Sequence, residues 1–213
     1  MSEVTSLPRR MAQRDRARRA ILSASEALLL DAGYEGFSIR RLVDRCGYSA
    51  PTIYHHFGDK GGLLDALLEE RFEKLASRLR RVPRNGDPVQ ILRELALAFV
   101  RFGLRHPRHY RLLSLARQPD RAPPPSAEEA RQQLERAWRT LWEAGRLRTR
   151  DVETAGQSLW ALAHGLISGH IQRPDGPWSR TLVEDSIDAL LRGLVAPEPK
   201  RGRGRPRAAE ETQ

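Results

Sequence analysis

Residues 49–60 hold the side chains best suited to chemistry. Ser49 suits a helix N-cap, and Pro51 suits a first helical turn, where an amide has no partner to lose. With Ile53 and Phe57 turned inward, Thr52, Tyr54, His55 and His56 remain outside. Aromatic and imidazole groups in succession carry polar tips on stiff bodies, which suits contacts to phosphates and base edges. Enzyme chemistry finds no comparable grouping. His106 and His109 are separated by Pro107 and have no acidic neighbour, so a zinc pair is not expected. Ser114, Ser158 and Ser168 lack the Gly-x-Ser-x-Gly turn of a hydrolase nucleophile. The glycines among residues 201–207 lack the strand and helix of a phosphate-cradling loop. Neither metal nor cofactor is expected, and the chain does not read as an enzyme.

The elements that must position these side chains are helical throughout. No run alternates apolar and polar residues between turn signals. A first helix is expected over 13–31, with Ala17, Ile21, Ala24 and Leu28 on one face and Gly33 as its stop. Ser38 caps a short second helix that Gly47 ends. Ser49 caps a third over 50–56, and Asp59 caps a fourth carrying Leu64, Leu67, Leu68, Phe72, Leu75 and Leu79. Residues 83–88 are turn chemistry and the best domain boundary. Further helices are expected over 89–105, 110–116, 127–144, 152–172 and 179–195. The proline-rich stretch 118–126 reads as a loop. This is an all-α protein of about nine helices. Two short helices joined by a glycine turn, with Leu42, Val43, Ile53 and Phe57 as core, read as a helix-turn-helix. The second helix of that unit enters the major groove.

Charge agrees. Across 213 residues, 37 basic and 27 acidic side chains leave a net charge of +10. Residues 9–19 net +5, residues 200–207 net +5, and the remainder balances. Basic ends of this kind suit a polyanion. An apolar content of 39% is enough for a core and excludes a wholly disordered chain. No segment approaches the ~20 apolar residues of a membrane span, and 21–30 is a poor signal-peptide core because Ser23, Ser25 and Glu26 interrupt it. Cys46 is the single cysteine, so neither an internal disulfide nor a cysteine metal cluster is possible. The expected compartment is the cytoplasm, with no membrane partner.

The stretch 37–60, FSIRRLVDRCGYSAPTIYHHFGDK, resembles the N-terminal domain of the TetR/AcrR family of transcriptional regulators. The preceding Gly33-Tyr34-Glu35-Gly36 matches that family's loop, and the leucine-rich helix after Lys60 matches its next element. The resemblance implies a homodimer with a DNA-reading head and a helical ligand-binding body. Carried over by position, it implies that Thr52 and His55 face bases or nearby sugar, and that Tyr54, His56 and Lys60 contact phosphates. It also implies that Ser38 touches the DNA backbone and that Arg40 reaches a base edge or phosphate. Ser49, Ala50 and Pro51 complete that surface. Ala50 stands where the family often has a longer polar residue, and Gly61-Gly62 replaces helix-favouring residues, which implies a softer hinge.

In the second half, Trp160, His164 and Gly165 resemble a subgroup with a Trp-x-x-x-His-Gly signature. Trp160 and His164 share a helix face and either line a ligand cavity or pack in the core or dimer seam. Gly165 and Gly169 would let another helix approach closely. The resemblance implies dimerisation through the last two helices. Phe99, Phe102, Tyr110, Trp138 and Trp142 complete an expected pocket for a small apolar or aromatic ligand. In the tail, Arg201, Arg203, Gly204, Arg205, Pro206 and Arg207 resemble an AT-hook, a segment that lies in narrow A·T minor grooves.

The expected organisation is a flexible basic arm (1–12), a helix-turn-helix domain (13–60), a connecting helix (61–82), a ligand-binding and dimerisation domain (87–196) and a disordered basic tail (197–213). The expected function is a dimeric repressor released from a palindromic double-stranded DNA operator by a small ligand. The alternative is an architectural binder of A·T-rich DNA that uses its two basic ends without an inducer.

Overall fold

The computed structural model describes residues 6–115, 122–149 and 151–197. Its helices are α1 (Ser6–Ala32), α2 (Ile39–Cys46), α3 (Ala50–Phe57), α4 (Lys60–Arg80) and α5 (Pro88–Arg105), then α6 (Pro107–Leu115), α7 (Pro125–Glu143), α8 (Val152–Gln172) and α9 (Leu182–Leu194). Among the described residues there is no strand, only an isolated antiparallel bridge between Leu147 and Val195. The all-α reading therefore holds. Several boundaries differ. Residues 6–12, expected as a flexible arm, are the start of α1. Arg9, Arg10, Met11 and Ala12 favour helix, and Pro8 falls in the first turn, where amides have no helical partner. The loop expected to reach 126 ends at Pro124, because Pro125 opens α7.

Two cores form. In the head, Ile21, Leu22, Leu28 and Leu29 of α1 pack with Phe37, Leu42 of α2, Ile53 of α3, and Leu63, Leu64 and Leu67 of α4. In the body, Leu75 and Leu79 of α4 join the apolar faces of α5, α7, α8 and α9. One face of α4 thus serves both cores, and a fully buried leucine contributes about 1.5–3 kcal/mol to either. The close packing of α5 on α8 depends on Gly103, where an added Cβ would lie 2.6 Å from Ile167 Cδ1.

Residue α6 positions divide between the cores in a way the expected 87 boundary does not anticipate. Tyr110 belongs to the body core, yet Leu112 is wholly buried in the head core. A body helix thereby reaches into the head.

Candidate nucleic-acid interface

The helix-turn-helix is built from its ends. Ser38 Oγ accepts from the Arg41 amide at 3.3 Å and opens α2. Gly47 closes α2 at φ 72°, its amide donating to the Val43 carbonyl. That left-handed turn is where glycine avoids the Cβ penalty. Ser49 Oγ then accepts from the Thr52 amide at 3.3 Å, with the Thr52 hydroxyl 2.9 Å away. Gly58 closes α3 through its bond to the Tyr54 carbonyl, and Asp59 opens α4 by accepting from the Gly62 amide at 2.7 Å. Leu42 and Ile53 are fully buried, while Val43 and Phe57 pack half-buried beside them.

This leaves α3 with one outward face. Tyr54 is 45% exposed. His55, Ser49 and Pro51 are exposed, as is Arg40 on α2. Ser38, Ala50, Thr52, His56 and Lys60 are half-buried. The Lys60 ammonium sits over the rings of Tyr34, at 4.8 Å, and Phe37, at 5.6 Å. These contacts hold the ammonium itself, at the residue that opens α4 just after α3.

In the sequence Arg14 and Arg18 stand out only as members of the basic run 9–19. In the fold, the Arg18 guanidinium lies 5.6 Å above the Phe57 ring. Burial lowers the affinity of His56 for a proton, and the charges of Arg14, His55 and Arg18 lower it further. His56 is therefore neutral at pH 7 and can donate or accept a hydrogen bond. The 3.6-residue period of α1, continued back from Ile21 and Ala17, was the available signal for this adjacency.

Gly62 has a steric reason that the softer-hinge expectation did not include. A Cβ there would fall 2.2 Å from the Phe57 carbonyl oxygen, so the α3–α4 corner closes only over glycine.

The chain matches the model of bacterial regulatory proteins of the TetR family over residues 21–67, and a tetracyclin repressor-like C-terminal domain over 92–194. The chain belongs to the TetR family. It is 34% identical to the transcriptional activator FasR of Mycolicibacterium smegmatis over 47% of this chain and 46% of that one. It is 39% identical to the class C tetracycline repressor protein of Escherichia coli over 33% and 31% of the two chains. The matched stretches thus span less than half the length of these relatives. Among solved structures, NalD, the secondary repressor of the MexAB-OprM multidrug efflux pump in Pseudomonas aeruginosa, is 25% identical, covers 86% of this chain and 98% of its own, and superposes with a TM-score of 0.60. A TetR family regulator from Shewanella sp. PV-4 shares the fold at 17% identity and a TM-score of 0.71, covering 85% and 99%. The TetR family consists of transcriptional regulators and not enzymes.

The TetR-type body arranges the expected pocket residues differently from the sequence reading. Trp138, Phe102 and Tyr110 are buried, and Phe99 meets Tyr110 edge-on at 6.4 Å. Trp142 and Trp160, expected to face inward or into a cavity, are 52% and 56% exposed. Trp142 follows Leu141, which faces the core, and one residue turns ~100° round a helix. Trp160 stacks on His164 at 5.0 Å, and Tyr110 Oη lies 2.6 Å from His164 Nδ1. Burial pushes the Tyr110 hydroxyl up to about 12, so it stays protonated at neutral pH. Gly169 is not open to another helix, because Trp178 of the same chain fills the space, its Cη2 3.2 Å from an added Cβ. Gly165 does face open space. The AT-hook-like residues 201–207 lie outside the described residues. Among the described residues no helix is long and apolar enough to cross a membrane, and no group of three His, Cys, Asp or Glu side chains is placed to hold a metal.

Proposed function

We propose that the chain is a dimeric repressor that reads a palindromic DNA operator with paired α3 helices and is released by a small apolar or aromatic ligand. The observation that carries this reading is the outward face of α3, capped at both ends, with Tyr54 and His55 exposed and three cations, Arg14, Arg18 and Lys60, grouped about it. In this arrangement Thr52 and His55 address base edges. Tyr54, His56, Lys60, Ser38, Arg40 and the α3 start at Ser49, Ala50 and Pro51 address phosphates or adjoining bases. Two subunits join through α8 and α9. Support comes from the exposed Trp160 and from Gly165 and Gly193, where an added Cβ would meet nothing. The ligand enters among Phe99, Phe102, Tyr110, Trp138 and His164. Trp138 Nε1 is buried without a hydrogen-bond partner, which favours a ligand carrying an acceptor. The coupling between ligand and operator has the usual size of about 1–3 kcal/mol. The arginine-rich tail at 201–207 adds salt-dependent affinity in A·T-rich flanks.

The test is sequencing of fragmented genomic DNA retained by the purified protein at near-physiological salt. A few sharp peaks over one palindrome are expected. The T52A/Y54A variant is expected to lose those peaks. A broad A·T-rich smear from the parent, or unchanged peaks from the variant, overturns the reading.

A further inference from the structure

Where α6 meets the head, two charged side chains and an imidazole converge from three helices. Glu26 of α1 is 8% exposed and Arg71 of α4 is 6% exposed. Arg71 donates from Nε and Nη2 to the same oxygen, Glu26 Oε2, at 3.2 and 2.7 Å. Its remaining nitrogen, Nη1, donates to Glu70 at 2.6 Å. The other carboxylate oxygen, Glu26 Oε1, faces His109 Nε2 of α6 at 3.6 Å. That distance is long for a hydrogen bond and short for a charge. His109 lies one residue from Tyr110, whose hydroxyl bonds His164 of α8, and three from Leu112, which fills the head core. This one turn of α6 touches the head and the body at once.

The His109 ring suits only its neutral form. Nδ1 is buried and has no hydrogen-bond partner. As a bare acceptor it is tolerable there, but as an N–H it would be an unsatisfied buried donor on a charged ring. The charged and titratable groups facing the ring are Glu26 from α1, Arg71 and Lys74 from α4, and His106 from α6 itself, stacked at 5.3 Å. One acid, already shared with Arg71, faces three cationic or basic groups.

We propose that His109 is a proton-operated element in the docking of α6 against the buried Glu26–Arg71 pair, so that a proton on its ring loosens α6 from the head. The proposal rests on the operator-binding reading above for its consequence in DNA affinity, and on the protein alone for its consequence in α6 docking. Burial holds the proton affinity of docked His109 below the ordinary imidazole value of 6.5, with Arg71, Lys74 and His106 adding to burial and Glu26 opposing it. The undocked ring therefore takes up a proton first. Docking is at full strength above pH ~6.5 and weakens as the pH falls below it.

The experiment is hydrogen exchange of the α6 amides in the free protein between pH 7.5 and 5.5, corrected for intrinsic rates, with H109Q beside the parent. The parent is expected to lose α6 protection several-fold on acidification, while H109Q stays level. H106Q, which removes one of the opposing groups, is expected to need a lower pH for the same loss. Parallel profiles for parent and H109Q overturn the proposal. If H109Q is unfolded, H109N replaces it under the same criteria. Absence of any selective DNA retention at pH 7.5 would instead overturn the operator reading and leave this result standing.

Discussion

The short helices of the head are held by their ends, and the long helices of the body by their flanks. α2 and α3 have eight residues each, and isolated helices of that length are marginal in water. Both carry a serine cap at the start and a glycine at positive φ at the finish. In the body, α7 and α9 open without any side-chain cap. Side-to-side bonds replace it. Arg93 pairs with Asp188 and Arg101 with Glu184, joining α5 to α9. Arg80 pairs with Glu129, and Ser126 bonds Glu69, joining α4 to α7. The difference follows from the two tasks. On the proposed reading α3 must keep its outer face clear for DNA, so only its termini and inner face are available for stabilisation. A body helix has no such restriction.

The sharpest test of this division lies at the boundary. Replacing Glu26 with glutamine leaves Arg71 buried with its charge uncompensated on that side. The loss expected is about 3–5 kcal/mol, the usual cost of removing one partner of a buried pair. The double variant E26L/R71M, which removes both charges, is expected to recover most of it in urea denaturation. A loss of under 1 kcal/mol for E26Q would mean that the pair does not join the two regions.

The division also explains what could be read in advance. Ser38, Gly47, Ser49, Gly58 and Asp59 act within four residues of their own positions, so the head's outline and the α3 face were legible. The all-α character and most of the body's helices followed from periodicity. What was not legible depends on distant partners. Glu26 and Arg71 are 45 residues apart, and nothing near either names the other. Leu112 reads as one more apolar residue of a body helix, although its burial is in the head. Trp142 and Trp160 look like core by residue type, yet their faces were settled by packing of the helices around them. Gly169 reads as an opening until Trp178 folds back over it.

A second test compares two glycines. At Gly62 an added Cβ would press on the Phe57 carbonyl at 2.2 Å, in the corner between α3 and α4. G62A is expected to cost about 1–3 kcal/mol through this overpacking, despite the better helix propensity of alanine. At Gly156 of α8 a Cβ meets nothing within 4 Å. G156A is expected to gain up to about 1 kcal/mol. Thermal unfolding of the two variants separates them by sign. If both stabilise, the α3–α4 corner is looser than its geometry implies.

The smallest effect is expected at the caps, where the comparison is most direct. Ser49 Oγ satisfies the Thr52 amide, and its removal also leaves the Thr52 hydroxyl without that neighbour. S49A is expected to cost about 1 kcal/mol, since α3 has few other supports at its start. Asp151 makes the same kind of bond at the start of α8, accepting from the Thr154 amide at 2.6 Å. The 21 residues of α8 are anchored along their length by Ala155, Leu159, Ala163, Leu166 and Ile167. A frayed first turn there costs less, because the rest of the helix stays packed; D151A is expected to lose about half as much as S49A, or less. Urea midpoints measured side by side decide it. Equal losses would show that end-capping matters as much to a long packed helix as to an eight-residue one, and that the contrast between head and body lies only in their charges.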